Sequence, residues 1–140
     1  MTPEQIALVR DSFKQVLPIK EQAAELFYNR LFEIAPETKS LFKGDIRGQG
    51  AKLMAALATV VNALDRLDTV LEPVKAMARR HVHYGVTEAQ YATVGEALLW
   101  TLEKGLGDAF TPAVKDAWAT AYGALSGVMI AAAREEPVAA

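Results

Sequence analysis

Proline and glycine divide this chain into six unequal stretches, and within each the apolar residues recur at three- and four-residue intervals. Pro3, Pro18, Pro36, Gly85, the pair Gly105 and Gly107, and Pro112 stand at the edges. No stretch alternates apolar and polar residues over a convincing strand length, and no two-residue hairpin signal is present. The chain is therefore expected to be all-α. A regular four-helix bundle would need fewer and longer helices with heptad seams. Six unequal helices with corners suit a crossed-helix fold, where crossings near 50° are the common class.

A length of 140 residues favours one domain spanning 1–140, long enough to bury roughly two-thirds of its unfolded surface. The formal net charge of −2 argues against a nucleic-acid or anionic-membrane partner, both of which want a concentrated positive face. The absence of cysteine removes disulfides, thiolate zinc sites, iron–sulfur clusters and thiol catalysis together, and is compatible with a cytoplasmic location. The opening MTPEQIALVRDSF has early carboxylates and no long apolar run, so no signal peptide is expected. The most apolar window, Leu53–Leu64, is bounded by Lys52 and Asp65. It is too short to span a bilayer and reads as a buried helix.

In chain order, Thr2 with Gln5 forms a capping box and Pro3 suits the first helical position. Ile6, Val9, Phe13 and Val16 then share a face until Pro18. A second helix is expected over residues 19–34, apolar over nearly half its girth. Pro36 opens a short turn closed by Ser40, Leu41 and Phe42, and residues 43–50, with three glycines, read as a loop. A long helix is expected from about Gln49 to Leu67, and a shorter one over residues 70–84 with Leu71, Val74, Ala78 and His81 inward. Gly85 closes it. A second capping box, Thr87 with Gln90, starts a helix to about Leu106, and Thr111 with Pro112 opens the last. Val114, Trp118, Ala121, Leu125, Val128 and Met129 form its buried line.

His81 stands at the end of an apolar stripe, where an imidazole serves as a core hydrogen-bonding group or as a ligand. The other histidine, His83, lies two residues on, about 200° around a helix. The two cannot face one site, which disfavours a zinc site built from them. Tyr28, Phe42, Gln49, Lys52 and Leu53 each have an ordinary reading as core or surface residues when taken singly. Their order is more informative: a Tyr within a helix, a Phe at a corner, and a Gln one turn before a Leu all precede the histidine.

These residues resemble a globin, in particular the bacterial single-domain haemoglobins and the haem domain of flavohaemoglobins. The resemblance runs from Glu4 to about Arg134. It is carried by LFYNRLFEIAPETKSLF (26–42), QGAKLMAALATVVNALDRL (49–67), RRHVHYGV (79–86), and YATVGEALL with LGDAFTPAVKDAWATAYG (91–123). The last two stretches are also similar to neuroglobin. The resemblance implies a globin fold, three helices crossed over three around a pocket for haem b (iron protoporphyrin IX). His81 matches the proximal histidine that binds iron, and Phe42 the phenylalanine against the haem face. Gln49 matches the distal position and Tyr28 the distal tyrosine, while Leu53 narrows the space over the iron. Tyr91 packs beside the proximal histidine. Val86, Val94, Leu98 and Tyr122 match further pocket positions, and Lys52 and Arg80 are candidates for the haem propionates.

Two departures matter. Gln49 stands where neuroglobin has a histidine, so bis-histidine iron is not expected. Flavohaemoglobins place a glutamate late in the last helix; the matching position here is Ala133, which implies a less imidazolate-like His81 and a poorer peroxidase. The expected function is reversible binding of dioxygen, and also of CO and NO, with high oxygen affinity. The alternative is nitric oxide dioxygenation, which would need a partner reductase because the chain leaves no room for a fused one. A helical module that has lost haem is disfavoured by the presence of the whole pocket set. A monomer or a weak homodimer is expected, with Trp100 on a core or dimer face.

Overall fold

The computed structural model describes residues 2–41, 46–84 and 87–135. Among these there are six α-helices and no strand: α1 (Pro3–Val16), α2 (Lys20–Ile34), α3 (Ile46–Asn62), α4 (Leu71–Tyr84), α5 (Glu88–Leu106) and α6 (Pro112–Glu135). Short 3-10 turns link them at Leu17–Ile19, Pro36–Leu41, Leu67–Val70 and Gly107–Ala109.

The local signals act as their chemistry requires. Gln5 N–H donates to Thr2 Oγ1 and Thr2 N–H to Gln5 Oε1, each at 3.1 Å, so orphan amides at the start of α1 are satisfied reciprocally. At the start of α5 the Gln90 side chain accepts the Thr87 amide at 2.9 Å. Thr111 Oγ1 accepts from Val114 N–H at 3.3 Å ahead of α6. Of the two glycines expected to end α5, only Gly107 does so, with φ +56°, a conformation costly for any residue with a Cβ. Gly105 remains helical.

Helix α3 departs from its expected bounds at both ends. It begins at Ile46, so half of the segment expected to be a loop is helical, and it stops at Asn62 rather than near Leu67. The stop is set from outside the helix. Arg10 on α1 donates from Nε to the Val61 carbonyl (3.2 Å) and from Nη2 to the Asn62 carbonyl (2.9 Å) and Asp65 Oδ1 (2.8 Å). A cation bonded to the last carbonyls satisfies groups that a further helical turn would otherwise engage. Beyond that point the chain turns tightly, Arg66 N–H donating to the Ala63 carbonyl at 2.9 Å.

The helices stack as two layers of three, with α1, α3 and α4 against α2, α5 and α6. The broadest contacts are α4 on α6, α2 on α5, α1 on α6 and α2 on α3. The α2–α3 crossing is close because Gly50 has no side chain: a Cβ there would lie 2.8 Å from Ala24 Cβ. One large apolar core, including Val9, Phe27, Leu31, Ala97 and Trp118, joins α1, α2, α3, α5 and α6. A second, smaller cluster of Val74, Ala78, Tyr91, Met129 and Ala132 joins α4 to α6 and the start of α5. Helices α3 and α4 follow one another in the chain yet share no broad contact. Each is packed on a different partner, so the space between their apolar faces is where a site can lie.

Candidate functional site

Helix α4 delivers His81 at the end of the stripe Val74–Ala78, as its 3.6-residue period requires. The imidazole is half-buried, and its Nδ1 lies 2.7 Å from the Met77 carbonyl, four residues back on the same helix. Burial holds the His81 pKa below its usual value. The Met77 carbonyl opposes this and the neighbouring Arg80 charge adds to it. A neutral ring that donates from Nδ1 carries its lone pair on Nε2, the form in which histidine binds metals.

Tyr91 on α5 stacks on this ring, with centroids 6.5 Å apart and planes 24° from parallel. Tyr122 on α6 in turn donates its hydroxyl to the Tyr91 carbonyl at 2.5 Å. Gly95 makes that bond possible, because a Cβ there would lie 2.8 Å from Tyr122 Cε2. The Tyr91 hydroxyl is buried, and among the described residues nothing accepts or donates to it. The apolar side chains clustered with Tyr91 include Val74, Ala78, Met129 and Ala132, and neither Ala132 nor the half-buried Ala133 offers a carboxylate. Burial raises the pKa of both phenols.

On the α2–α3 side, Tyr28 is buried in the large core against Phe27 (5.1 Å, edge-on) and Phe32 (6.0 Å, stacked). Burial pushes its phenol up to about 12, so it keeps its proton, and its capacity to donate, throughout the physiological range. Gln49 is half-buried one turn before the half-buried Leu53, and Gly50 between them brings α3 onto α2 beside Tyr28. Val94 and Leu98 pack in the large core. Lys52 and Arg80 are exposed. Phe42, Gly85 and Val86 lie outside the described residues, as do the bounds of any loop through them, and the His83 side chain is likewise not described.

The sequence reading passed over Gly50 and Gly95, which set how closely Tyr28 and Tyr122 are approached. Their signal was available: a glycine inside an otherwise apolar helix costs stability unless a neighbour needs its space.

A family model for Globin matches residues 25–129, most of the chain. This chain is a globin. Its relatives include proteins named flavohemoprotein from Bordetella pertussis, 34% identical over 93% of this chain, and from Oceanobacillus iheyensis, 32% identical over 87%. The globin covers only 33% and 32% of those two proteins, about a third of their length. A bacterial globin from Campylobacter jejuni superposes with a TM-score of 0.86 at 27% identity, covering 96% of this chain and 97% of that one. An engineered carbene transferase from Rhodothermus marinus, provisionally assigned as a nitric oxide dioxygenase, gives 0.87 at 26% identity over 96% and 94%. A hexacoordinated haem protein from a tardigrade shares the fold, with a TM-score of 0.86 at 18% identity.

Membership of this family implies a haem cofactor, and the expected all-α globin fold is the one observed. The residues present fit such a group: a half-buried imidazole whose pKa is held down by burial stands on α4, and among the described residues α3 and α4 share no broad contact. Among the described residues no helix is long and apolar enough to cross a membrane.

Proposed function

We propose that this globin binds haem b through His81 and reversibly binds dioxygen, and also CO and NO. The observation that carries the reading is the His81 imidazole, half-buried, held neutral by burial and oriented by the Met77 carbonyl. Haem supplies an iron centre at which a diatomic gas can bind. His81 Nε2 would hold that iron, and the Met77 carbonyl on Nδ1 fixes the ring's tautomer and rotation. Tyr91 stacks beside the ring and limits its swing. By their match to the globin pattern, Phe42 would support the haem, and Val86, Val94, Leu98 and Tyr122 would line an apolar wall that excludes water. Lys52 and Arg80, both exposed, would pair with the haem propionates.

Tyr28 and Gln49 supply the polar end of the pocket, and Leu53 limits its size. Tyr28 keeps its O–H, and Gln49 presents an amide N–H. A donor bond to a partly charged acceptor in a dry site contributes on the order of 1.5–3 kcal/mol. At roughly 1.4 kcal/mol per tenfold, each well-aimed donor slows gas release by one to two orders of magnitude. CO, with less charge to bond, gains less. High oxygen affinity with slow release follows. A carbonyl rather than a carboxylate on Nδ1 leaves His81 a weaker electron donor, which favours reversible binding over peroxide cleavage.

Absorption spectra of the purified protein, before and after dithionite and CO, test the haem reading. A Soret band that sharpens and shifts with CO supports it; no Soret band after adding hemin defeats it. Replacing Tyr28 with Phe, or Gln49 with Leu, should speed oxygen dissociation at least several-fold. An unchanged rate in both single variants and the double would remove both side chains from the pocket's polar end.

A second reading is favoured by the flavohemoprotein relatives and the Rhodothermus marinus neighbour: nitric oxide dioxygenation with electrons from a separate reductase. Sustained nitrate formation that depends on an added reductase would establish it; a single turnover per haem would leave gas binding alone. For either role the chain is expected to work in the cytoplasm, as a monomer or weak homodimer.

A further inference from the structure

Two methionines are comparably buried in different company. Met54 on α3, 8% exposed, belongs to the large core, and Met129 on α6, 5% exposed, belongs to the small cluster. A thioether is an apolar packing group and a weak hydrogen-bond acceptor. Oxidation to the sulfoxide makes it polar, which disrupts a core when the new oxygen has no donor to accept from. Tolerance of a buried sulfoxide therefore depends on a spare donor in the same packing unit.

In the large core the Ser12 and Thr101 hydroxyls are already committed to the Leu8 and Ala97 carbonyls, at 2.7 and 2.8 Å, and the Trp118 indole donates to Ser12 Oγ at 2.8 Å. The small cluster differs. Of Val74, Ala78, Tyr91, Met129 and Ala132, Tyr91 brings the hydroxyl and Met129 the sulfur. Tyr91 is 7% exposed, and its buried hydroxyl has no partner among the described residues, the Met129 sulfur included. A buried O–H without an acceptor costs free energy that an acceptor placed there returns. The Tyr122 hydroxyl, bonded to the Tyr91 carbonyl, ties this residue to α6, the helix that carries Met129.

We propose that Met129 is a modification site for hydrogen peroxide, and that its sulfoxide is retained because the new oxygen accepts the Tyr91 hydroxyl. The step is an oxygen transfer. The thioether sulfur attacks one peroxide oxygen, the O–O bond breaks as the S–O bond forms, and the other oxygen leaves with both protons as water. Sulfur is oxidised and peroxide reduced. Met129 lies in the last two turns of α6, which ends at Glu135, and local opening of a helix end admits so small an oxidant. The Tyr91 ring stacks on His81, so the new bond forms beside the proposed iron ligand. That consequence rests on the haem reading given above; the pairing of Met129 with Tyr91 does not.

The test uses a Met54→Leu, Met77→Leu background, in which Met129 is the internal methionine left. Leucine conserves the volume of methionine, so the fold is kept. Cyanide, which occupies haem iron where haem is present, confines peroxide to the thioethers. Peptide mass spectrometry should place one added oxygen on Met129 of the folded protein, and the denaturant midpoint should hold or rise. With Tyr91→Phe added, the midpoint should fall on oxidation, because the sulfoxide has lost its donor. Ultraviolet resonance Raman spectra should show one tyrosine hydroxyl gaining an acceptor. In the converse background, Met77→Leu with Met129→Leu, oxidation of Met54 should lower the midpoint whether or not Tyr91 keeps its hydroxyl. Met129 left unoxidised until the protein unfolds would overturn the proposal. So would a midpoint that falls equally with and without the Tyr91 hydroxyl, or an unchanged tyrosine signature. The same comparison can be run on protein with no Soret band, so failure of the haem reading and failure of this one are distinguishable.

Discussion

In the large core of α1, α2, α3, α5 and α6, the buried hydroxyls of Ser12 and Thr101 each donate to a carbonyl of their own helix, and the Trp118 indole has Ser12. In the small cluster between α4 and α6, the Tyr91 hydroxyl has no partner among the described residues, and the imidazole beside it is half-buried. The first region is a finished interior. The second leaves a buried hydroxyl without a described partner beside a half-exposed imidazole, and such an orphaned hydroxyl costs stability that packing within the cluster does not return. Stability should therefore be concentrated in the large core and ligand dependence in the small cluster.

The largest test of that contrast is His81→Ala. It should abolish tight haem binding, read as loss of the Soret band, while the far-UV circular dichroism stays helical. Leu31→Ala should do the reverse. Leu31 is 1% exposed at the centre of the large core, and its truncation should cost about 2–5 kcal/mol in denaturant unfolding. Loss of helix in the first variant, or an unmoved midpoint in the second, would break the comparison.

The two phenols sharpen it. Tyr122→Phe removes a bond to the Tyr91 carbonyl and should cost about 0.5–1.5 kcal/mol. Tyr91→Phe removes a hydroxyl with no described partner and should be neutral or stabilising, the opposite sign at a neighbouring ring.

The pH dependence separates the regions again. His81 has a folded pKa below the unfolded value of about 6.5. The unfolded chain therefore binds more protons in that window, and the contribution, complete above it, is lost as pH falls through the folded pKa. Haem retention should weaken over the same acid range. Tyr28 has the opposite sense: raised to about 12, it contributes fully below the ordinary phenol pKa and loses that contribution as pH climbs through the folded value. The smallest effect belongs to the surface pair of Arg134 and Glu88, 2.7 Å apart and solvent-exposed. Glu88→Gln should leave the thermal midpoint within error, since exposed pairs contribute little.

The helices were legible because their signals are short-range. Thr2 with Gln5 and Thr111 with Val114 are complete within four residues, and the α4 stripe ending in His81 needs only the helical period. The resemblance to globins named a candidate set for the site, and the structure brings His81, Tyr91 and Tyr122 into one contiguous group. What escaped was the end of α3. Its apolar pattern continues past Asn62, and nothing near it in the sequence says stop.

From its own pattern, then, this chain determines that it is helical, where most helices start, which faces are apolar, and that one histidine stands at the end of an apolar stripe. Only the tertiary structure decides that Arg10 ends α3 from 52 residues away, that Ser12 holds Trp118 across 106 residues, and that the Tyr91 hydroxyl is left without a partner among the described residues. Propensity and capping depend on neighbours within a turn or two. Close approach and pinned rings depend on which distant side chains the folded helices bring together, and that is a property of packing rather than of any one stretch.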